Sequence, residues 1–409
     1  MSLRNPWAIA SLTGIGIFVT FVLRLNLSPV APVLAKEFHL TDWQLGLLLS
    51  GFLWVYTFLQ PVAGWATDRF GAKFTMLLGI ATTSIITIMT GFANSFLTLF
   101  SLRVALGVTQ APNFVSGAKV TSSGWFNKDQ RARATSIWIS GGRLGPVFAF
   151  PIAAWLAVTY GWQSAFYVTG ALGLIWCAAW FFGFRNDPEP KSKQKVARQI
   201  RVRDSLPVVI SPLGLGLAVA SFGQGYVAYY LNLWLPTYLV RQEGFKILNA
   251  GIYSTLPLLA AVVTLVLVGG VLSDYLVKRG AAPVGLRCKL FTLGMILAAL
   301  MLLATAYAPD PFTALSALCL AGAALGFSTP SLWVALVEAT PKELTGTMSG
   351  VQNFGGNIAG IVVAVLTGFI LDVTKSFFFA LLAGSAAALL GAVAAALFVR
   401  PHAPHDATE

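Results

Sequence analysis

Twelve apolar runs follow one another along this chain, each about 20 residues or longer, and they leave few folds open to it. With approximate limits they cover 8–34, 43–67, 72–92, 96–120, 132–159, 162–184, 208–239, 247–272, 287–308, 312–338, 345–372 and 374–399. At helical rise, 20 residues reach about 30 Å, the thickness of a bilayer's hydrocarbon. Only helices and closed barrels satisfy their backbone groups in lipid, and runs of this length select helices. Composition agrees: 56% of the 409 residues are hydrophobic and 10% are charged, against about 25% charged in a soluble domain. The expected fold class is an all-α membrane protein of twelve spans. The run after Arg4 is too long for a signal-peptide core and lacks a clear small-residue cleavage site, so no cleaved leader is expected.

The net charge of +12 would suit a nucleic-acid binder, but its placement gives another reason for it. Counting from an inside amino terminus, one set of loops holds Arg4, Arg69, Lys73, Lys128, Arg131, Arg133, Lys278, Arg279, Arg287, Lys289, Lys342 and Arg400. The segment after the sixth run adds Arg185, Lys191, Lys193, Lys195, Arg198, Arg201 and Arg203. The opposite loops offer Lys36, Arg241, Lys246 and Lys375. This is the positive-inside bias, and it places both termini in the cytoplasm, with a bacterial inner (plasma) membrane as the expected location. The expected macroscopic partner is therefore the lipid bilayer and not nucleic acid. Cys177, Cys288 and Cys319 are scattered, and His39, His402 and His405 lie outside the spans. No metal site or cofactor is expected.

Residues 185–207 form the one long polar segment and divide the runs six and six. Expected boundaries are 1–184 for an amino-terminal six-helix bundle, 185–207 for a basic linker, 208–399 for a carboxyl-terminal bundle and 400–409 for a tail. The halves echo each other. Gly64 precedes Asp68, Arg69 and Lys73 after the second run, and Gly270 precedes Asp274, Lys278 and Arg279 after the eighth. Gly141-Gly142-Arg143 in the fifth run matches Gly355-Gly356-Asn357 in the eleventh. Repeated halves imply two pseudo-symmetric bundles with a site near mid-membrane.

Two arginines sit deep inside apolar runs. Arg24 falls within about 5 Å of the middle of the first span, and Arg143 within about 10 Å of the middle of the fifth. A central arginine costs about 2.5–3.5 kcal/mol on insertion scales, so such residues face water or a partner. Both are candidates to bind substrate, although Arg143 could instead bridge to neighbouring carbonyls. All 15 Asp and Glu residues lie in loops, tails or span ends. A pore with buried cations and no buried acids selects anions, since a cationic cargo would stay unpaired in low dielectric. Amides and phenols could complete the site: Asn26, Gln110 and Asn113 in the first half, with Asn353, Asn357 and Tyr230 in the second. Intramembrane amides also join helices, so packing is the competing reading for each. Asp68, Arg69 and Asp274 read as loop latches, with Asp68 able to cap the next helix and Arg69 able to bind carbonyls or an acid.

The segment from Gly64 to Lys73, and the spacing Leu99, Arg103, Gly107, Ala111, resemble signatures of the major facilitator superfamily. Four stretches are similar to its anion:cation symporter family, whose members carry sialic acid, glutamate, hexuronates and galactonate. They are Arg24-Leu25-Asn26-Leu27-Ser28, Gln110-Ala111-Pro112-Asn113-Phe114, Gly145-Pro146-Val147-Phe148-Ala149-Phe150-Pro151 and Trp234-Leu235-Pro236-Thr237-Tyr238. The resemblance covers all twelve runs. It implies a secondary carrier for a small organic anion, a carboxylate or sugar acid, working by alternating access. It also gives Arg103 a part in packing or proton coupling, the two evenly weighted. Proton-coupled members of that family carry an acid before the first-span arginine and a glutamate seven residues after the fourth-span one. This chain has Leu23 and Gln110 there. Proton symport through those positions is not expected; antiport of anions, facilitated movement and protonation of the substrate stay open, and Glu338 is the nearest other acid. Arg143 departs from the small polar residue usual in the family, which points to a more highly charged substrate or a different pose. The alternative within the superfamily is an exporter of drug-like or cationic compounds. A membrane enzyme would need a nucleophile–base pair or metal cluster that no intramembrane His or acid supplies. A monomer is expected, with a counter-ion or an exchanged anion as the further small partner.

Overall fold

The computed structural model describes residues 5–122, 125–127, 130–184, 202–269, 275–276, 279, 282–341 and 344–399. In chain order the helices are α1 (Pro6–Leu25), α2 (Leu27–Glu37), α3 (Asp42–Phe70), α4 (Ala72–Thr90), α5 (Phe96–Ser122), α6 (Arg131–Tyr160) and α7 (Trp162–Gly183). They continue as α8 (Val202–Val209), α9 (Pro212–Leu233), α10 (Leu235–Arg241), α11 (Ile247–Tyr253) and α12 (Thr255–Thr264), with a π turn at Leu265–Gly269. The last are α13 (Pro283–Ala306), α14 (Pro311–Ala339), α15 (Thr345–Thr374) and α16 (Phe378–Phe398). Among the described residues, 10 helical stretches are long and apolar enough to cross a membrane, α1 and α2 counting together. α5, of 27 residues, and α9, of 22, are helical as expected but less apolar. Arg103, Gln110, Asn113 and Lys119 dilute the first; Gln224 and three tyrosines dilute the second.

Local chemistry sets the ends. Asn5 Oδ1 accepts from the Trp7 amide at 3.0 Å, with Pro6 preset for the first turn. Thr41 and Gln44 form a reciprocal capping box at the start of α3. Asp310 accepts from the Phe312 and Thr313 amides at 3.0 Å before α14. Gly71, at φ 82°, turns the chain between α3 and α4 in a conformation that a side chain would strain. The first span is split at Asn26, and α2 holds Pro29 and Pro32, which cannot donate to the helix ladder. The seventh is split in the same way at Trp234, ahead of Pro236.

The chain divides into two compact units. One comprises Met1–Val196 with Asn232–Thr255, and the other Ala197–Leu231 with Leu256–Glu409. In the first, α1 packs along α6, α3 along α5, and α4 between α5 and α7. α1 and α6 run parallel and very close: a Cβ at Gly141 would lie 2.1 Å from the Gly14 carbonyl oxygen, and one at Gly145 2.5 Å from Phe21 Cβ. Glycine here lets two backbones touch, which suits an interface without a hydrophobic driving force. Segment 232–255 joins this unit: Ser28 Oγ donates to Leu233 O at 2.9 Å, and Arg241 pairs with Asp42. In the second unit α13 lies between α14 and α16. Of the expected linker and tail, residues 185–201 and 400–409 lie outside the described residues.

Candidate functional site

Arg24 occupies the last turn of α1, just before the break at Asn26, and is 8% exposed. Its Nε donates to Gln110 Oε1 at 2.8 Å. The same amide turns its Nε2 to the Thr20 carbonyl at 3.2 Å, so Gln110 clamps α5 to α1 and fixes the arginine. Three aromatic rings surround the guanidinium carbon: Phe21 at 4.8 Å, Phe52 at 4.8 Å and Tyr56 at 4.6 Å. Cation–π contacts are worth about 0.5–2 kcal/mol each, and a hydrogen bond to a charged group about 1.5–3 kcal/mol. They hold the side chain in place but leave its charge uncompensated. No carboxylate pairs with Arg24 among the described residues, and neither Nη makes a hydrogen bond with them. The arrangement leaves a fixed guanidinium with its fork donors available for a bidentate carboxylate.

Gln110 therefore meets Arg24 as a support. Asn113 and Asn26 are ties between helices. Asn113 Nδ2 donates to Thr20 Oγ1 at 3.3 Å, and Asn26 Nδ2 donates to Thr169 Oγ1 on α7 at 2.9 Å, both side chains being fully buried. Arg143 is exposed and has no hydrogen bond or ion pair with the described residues. Arg103 is 1% exposed, lies 5.4 Å from the Phe166 ring, and none of its three guanidinium nitrogens has a hydrogen-bond partner among the described residues. In the second unit, Asn357 Oδ1 accepts from Tyr229 at 3.0 Å, Asn353 is exposed, and Tyr230 is buried.

The loop residues depart from expectation. The amino end of α4 is not capped by Asp68 but follows Gly71, which has no side-chain cap to offer. Asp68 instead pairs with Lys119 at 3.1 Å, and the same ammonium donates to the Thr67 and Asp68 carbonyls at 2.8 and 3.1 Å. Lys119 so ties α5 to the carboxyl end of α3, where the helix dipole favours a cation. Arg69 lies over Trp65 and Phe70 at 5.6 and 5.8 Å, with no carboxylate partner among the described residues. Asp274 lies outside the described residues. Glu338 pairs with Arg287 at 3.0 Å. No group of three His, Cys, Asp or Glu that could hold a metal occurs among the described residues.

Phe52 and Tyr56 went unnoticed in the sequence. One turn apart on α3, they look like ordinary packing until α3 is placed beside Arg24. Phe21, three residues before Arg24, carried a local signal, because residues at that spacing share a helix face.

Apolar helices of spanning length, with an uncompensated cation held within one of them, suit a membrane transport protein. The chain belongs to the Major Facilitator Superfamily, whose family model matches residues 13–364. It is 30% identical to a D-galactonate transporter of Escherichia coli O6:H1, over 95% of each chain. It is 29% identical to a probable galactarate/D-glucarate transporter of Escherichia coli K12, covering 92% of this chain and 90% of that one. A hexuronate transporter of Bacillus subtilis is 28% identical, with 94% and 92% covered. All three relatives are named as transporters of sugar acids. Among solved structures, a bacterial homologue of the human lysosomal transporter Spinster, inward-facing and occupied, superposes with a TM-score of 0.75 at 18% identity. That match covers 98% of this chain and 95% of the other, and supports the fold.

Proposed function

We propose that this protein carries sugar acids or closely similar small carboxylates, and that Arg24 is the group that grips the carboxylate. The observation behind this reading is the guanidinium fixed by Gln110 and three aromatic rings, with both Nη groups unbonded among the described residues. The names of its relatives, transporters of galactonate, galactarate/glucarate and hexuronate, favour the same cargo. Twelve spans, bundles at 1–184 and 208–399 and termini in the cytoplasm of a plasma membrane complete the proposal. Movement by alternating access of two pseudo-symmetric halves follows from it. Asn353, Asn357 and Tyr230 would serve the hydroxyls of the cargo, and Asp68 with Lys119 would favour one access state. A monomer is sufficient for this scheme.

Ligand that binds only the folded protein raises its melting temperature, which gives a direct test. The purified protein is expected to be stabilised by hexonates, hexarates or hexuronates and not by cationic drugs, and Arg24→Gln should abolish the shift while melting cooperatively. Stabilisation by cations alone, or an unchanged response in Arg24→Gln, would overturn the reading.

A further inference from the structure

Where α3 gives way to α4, five aromatic rings lie open at the surface. Trp65 and Phe70 come from α3, Phe74 from α4, and Phe181 and Phe182 from the end of α7, each more than half exposed. The three helix ends are joined: Gly71 turns α3 into α4, and Trp180 Nε1 on α7 donates to the Lys73 carbonyl at 3.0 Å. The rings meet in two chains, with centroids 6.2 Å apart from Trp65 to Phe70, 6.3 Å from Phe70 to Phe74 and 5.2 Å from Phe181 to Phe182. Two cations ride on them. Arg69 lies over Trp65 and Phe70, and the Lys73 ammonium is 5.8 Å from the Phe181 ring. Neither pairs with a carboxylate among the described residues.

Depth and charge both bear on what covers this patch. At 29 residues, α3 is about 43 Å long against about 30 Å of hydrocarbon, so its last turn, which carries Arg69, reaches headgroup level. Aromatic rings favour that level, and long cationic side chains lay their stems on apolar surface while keeping their heads wet. The adjacent acid, Asp68, is taken by Lys119 at 3.1 Å. That pair cancels, and the patch keeps the two positive charges of Arg69 and Lys73. The basic start of α6 is built differently. Arg131 donates to the carbonyl of buried Phe126, and Arg133 lies over the single half-buried ring of Trp7.

We infer that the patch binds one anionic phospholipid of the phosphatidylglycerol kind, its phosphate between Arg69 and Lys73 and its acyl chains on Phe74, Phe181 and Phe182. A zwitterionic headgroup brings a cation of its own, which the two unpaired cations oppose; a phosphatidylglycerol headgroup brings none. A free phosphate would satisfy the charges and leave the rings uncovered. The inference depends neither on the cargo nor on Arg24.

Native mass spectrometry of the delipidated full chain in detergent, titrated with phosphatidylglycerol or phosphatidylcholine of the same acyl chains, gives the affinity for the first lipid bound. Wild type should favour phosphatidylglycerol by about tenfold or more. Arg69→Gln with Lys73→Gln should cut the preference below about threefold, whereas Arg69→Lys with Lys73→Arg should keep it. Arg131→Gln with Arg133→Gln should also keep it, and cooperative melting shows that each variant is folded. Independently of those variants, phosphatidylglycerol with brominated chains should quench more fluorescence in wild type than in Trp65→Phe. No preference in wild type, a preference kept without Arg69 and Lys73, the same loss in the Arg131 and Arg133 variant, or equal quenching with and without Trp65 would overturn the inference. Displacement of the lipid by an equal concentration of glycerol 1-phosphate would overturn it too, since the site would then take a free phosphate.

Discussion

Arg24 Nε donates to Gln110 Oε1 at 2.8 Å, and a neutral amide so holds a buried guanidinium without neutralising it. An amide can orient the fork and still leave the positive charge for an incoming anion. A carboxylate in its place would hold the arginine just as well but would compete with the substrate.

Gln110→Glu is therefore expected to make binding dependent on protons. At neutral pH the introduced carboxylate pairs with Arg24, and anion affinity should fall at least tenfold, about 1.4 kcal/mol. Acidification protonates it and should restore affinity. Wild type should show no such recovery, and its uptake into liposomes at zero potential should not be driven strongly by an imposed pH gradient. Titrations between pH 5 and pH 8 on both proteins check the first expectation; the liposomes check the second.

The closeness of α1 and α6 makes a second expectation. Gly141→Val would push a side chain into the Gly14 carbonyl, only 2.1 Å from the position of the first added carbon. Overpacking of this kind costs about 1–3 kcal/mol. Because the contact positions α1, which carries Arg24, anion affinity should fall along with a melting temperature lower by a few degrees. Gly285→Val, on a glycine with open space around it, serves as the control for stability.

A third concerns Asp42 and Arg241, whose ion pair is partly exposed, with side chains 16% and 33% accessible. Such pairs are worth about 0–1 kcal/mol. Asp42 is also the first residue of α3, where a negative charge meets the positive end of the helix dipole. Asp42→Asn should therefore lower the melting temperature more than Arg241→Gln. The exchanged pair Asp42→Arg with Arg241→Asp should recover only part of the loss, since it restores attraction across the pair and opposes the dipole. Thermal melts at low and high salt separate the two contributions.

Helix positions could be read from the chain because hydropathy, proline and glycine act locally. The run 43–67 became Asp42–Phe70, and 132–159 became Arg131–Tyr160. The burial of Arg24 could be anticipated for the same reason, since a charge among apolar neighbours stands out in the sequence. What stayed hidden depends on which helices touch. Asp68 looked like a cap for α4, yet its partner is Lys119, 51 residues away on α5. Tyr56 and Phe52 acquire meaning only beside α1. The bonds from Asn26 and Asn113 to Thr169 and Thr20 were hidden as well, because those partners are delivered by other helices.

Arg103 offers the last expectation. It is buried on α5, two turns before Gln110, with three nitrogens unpartnered among the described residues and one aromatic contact with Phe166. Burying a guanidinium without hydrogen bonds is costly, and replacing such a group by an apolar side chain of similar volume often stabilises a protein by about 1–4 kcal/mol. If this arginine were only scaffold, nothing would maintain that penalty. Arg103→Met is expected to raise the melting temperature of the ligand-free protein while lowering transport at least tenfold. Substrate affinity should change much less than transport, because Gln110 and the rings that position Arg24 are untouched. Melting curves, binding titrations and liposome uptake on one preparation distinguish the outcomes. A lower melting temperature would mean that Arg103 gains more from its surroundings than its loss of hydrogen bonds costs, and unchanged transport would leave it a packing residue.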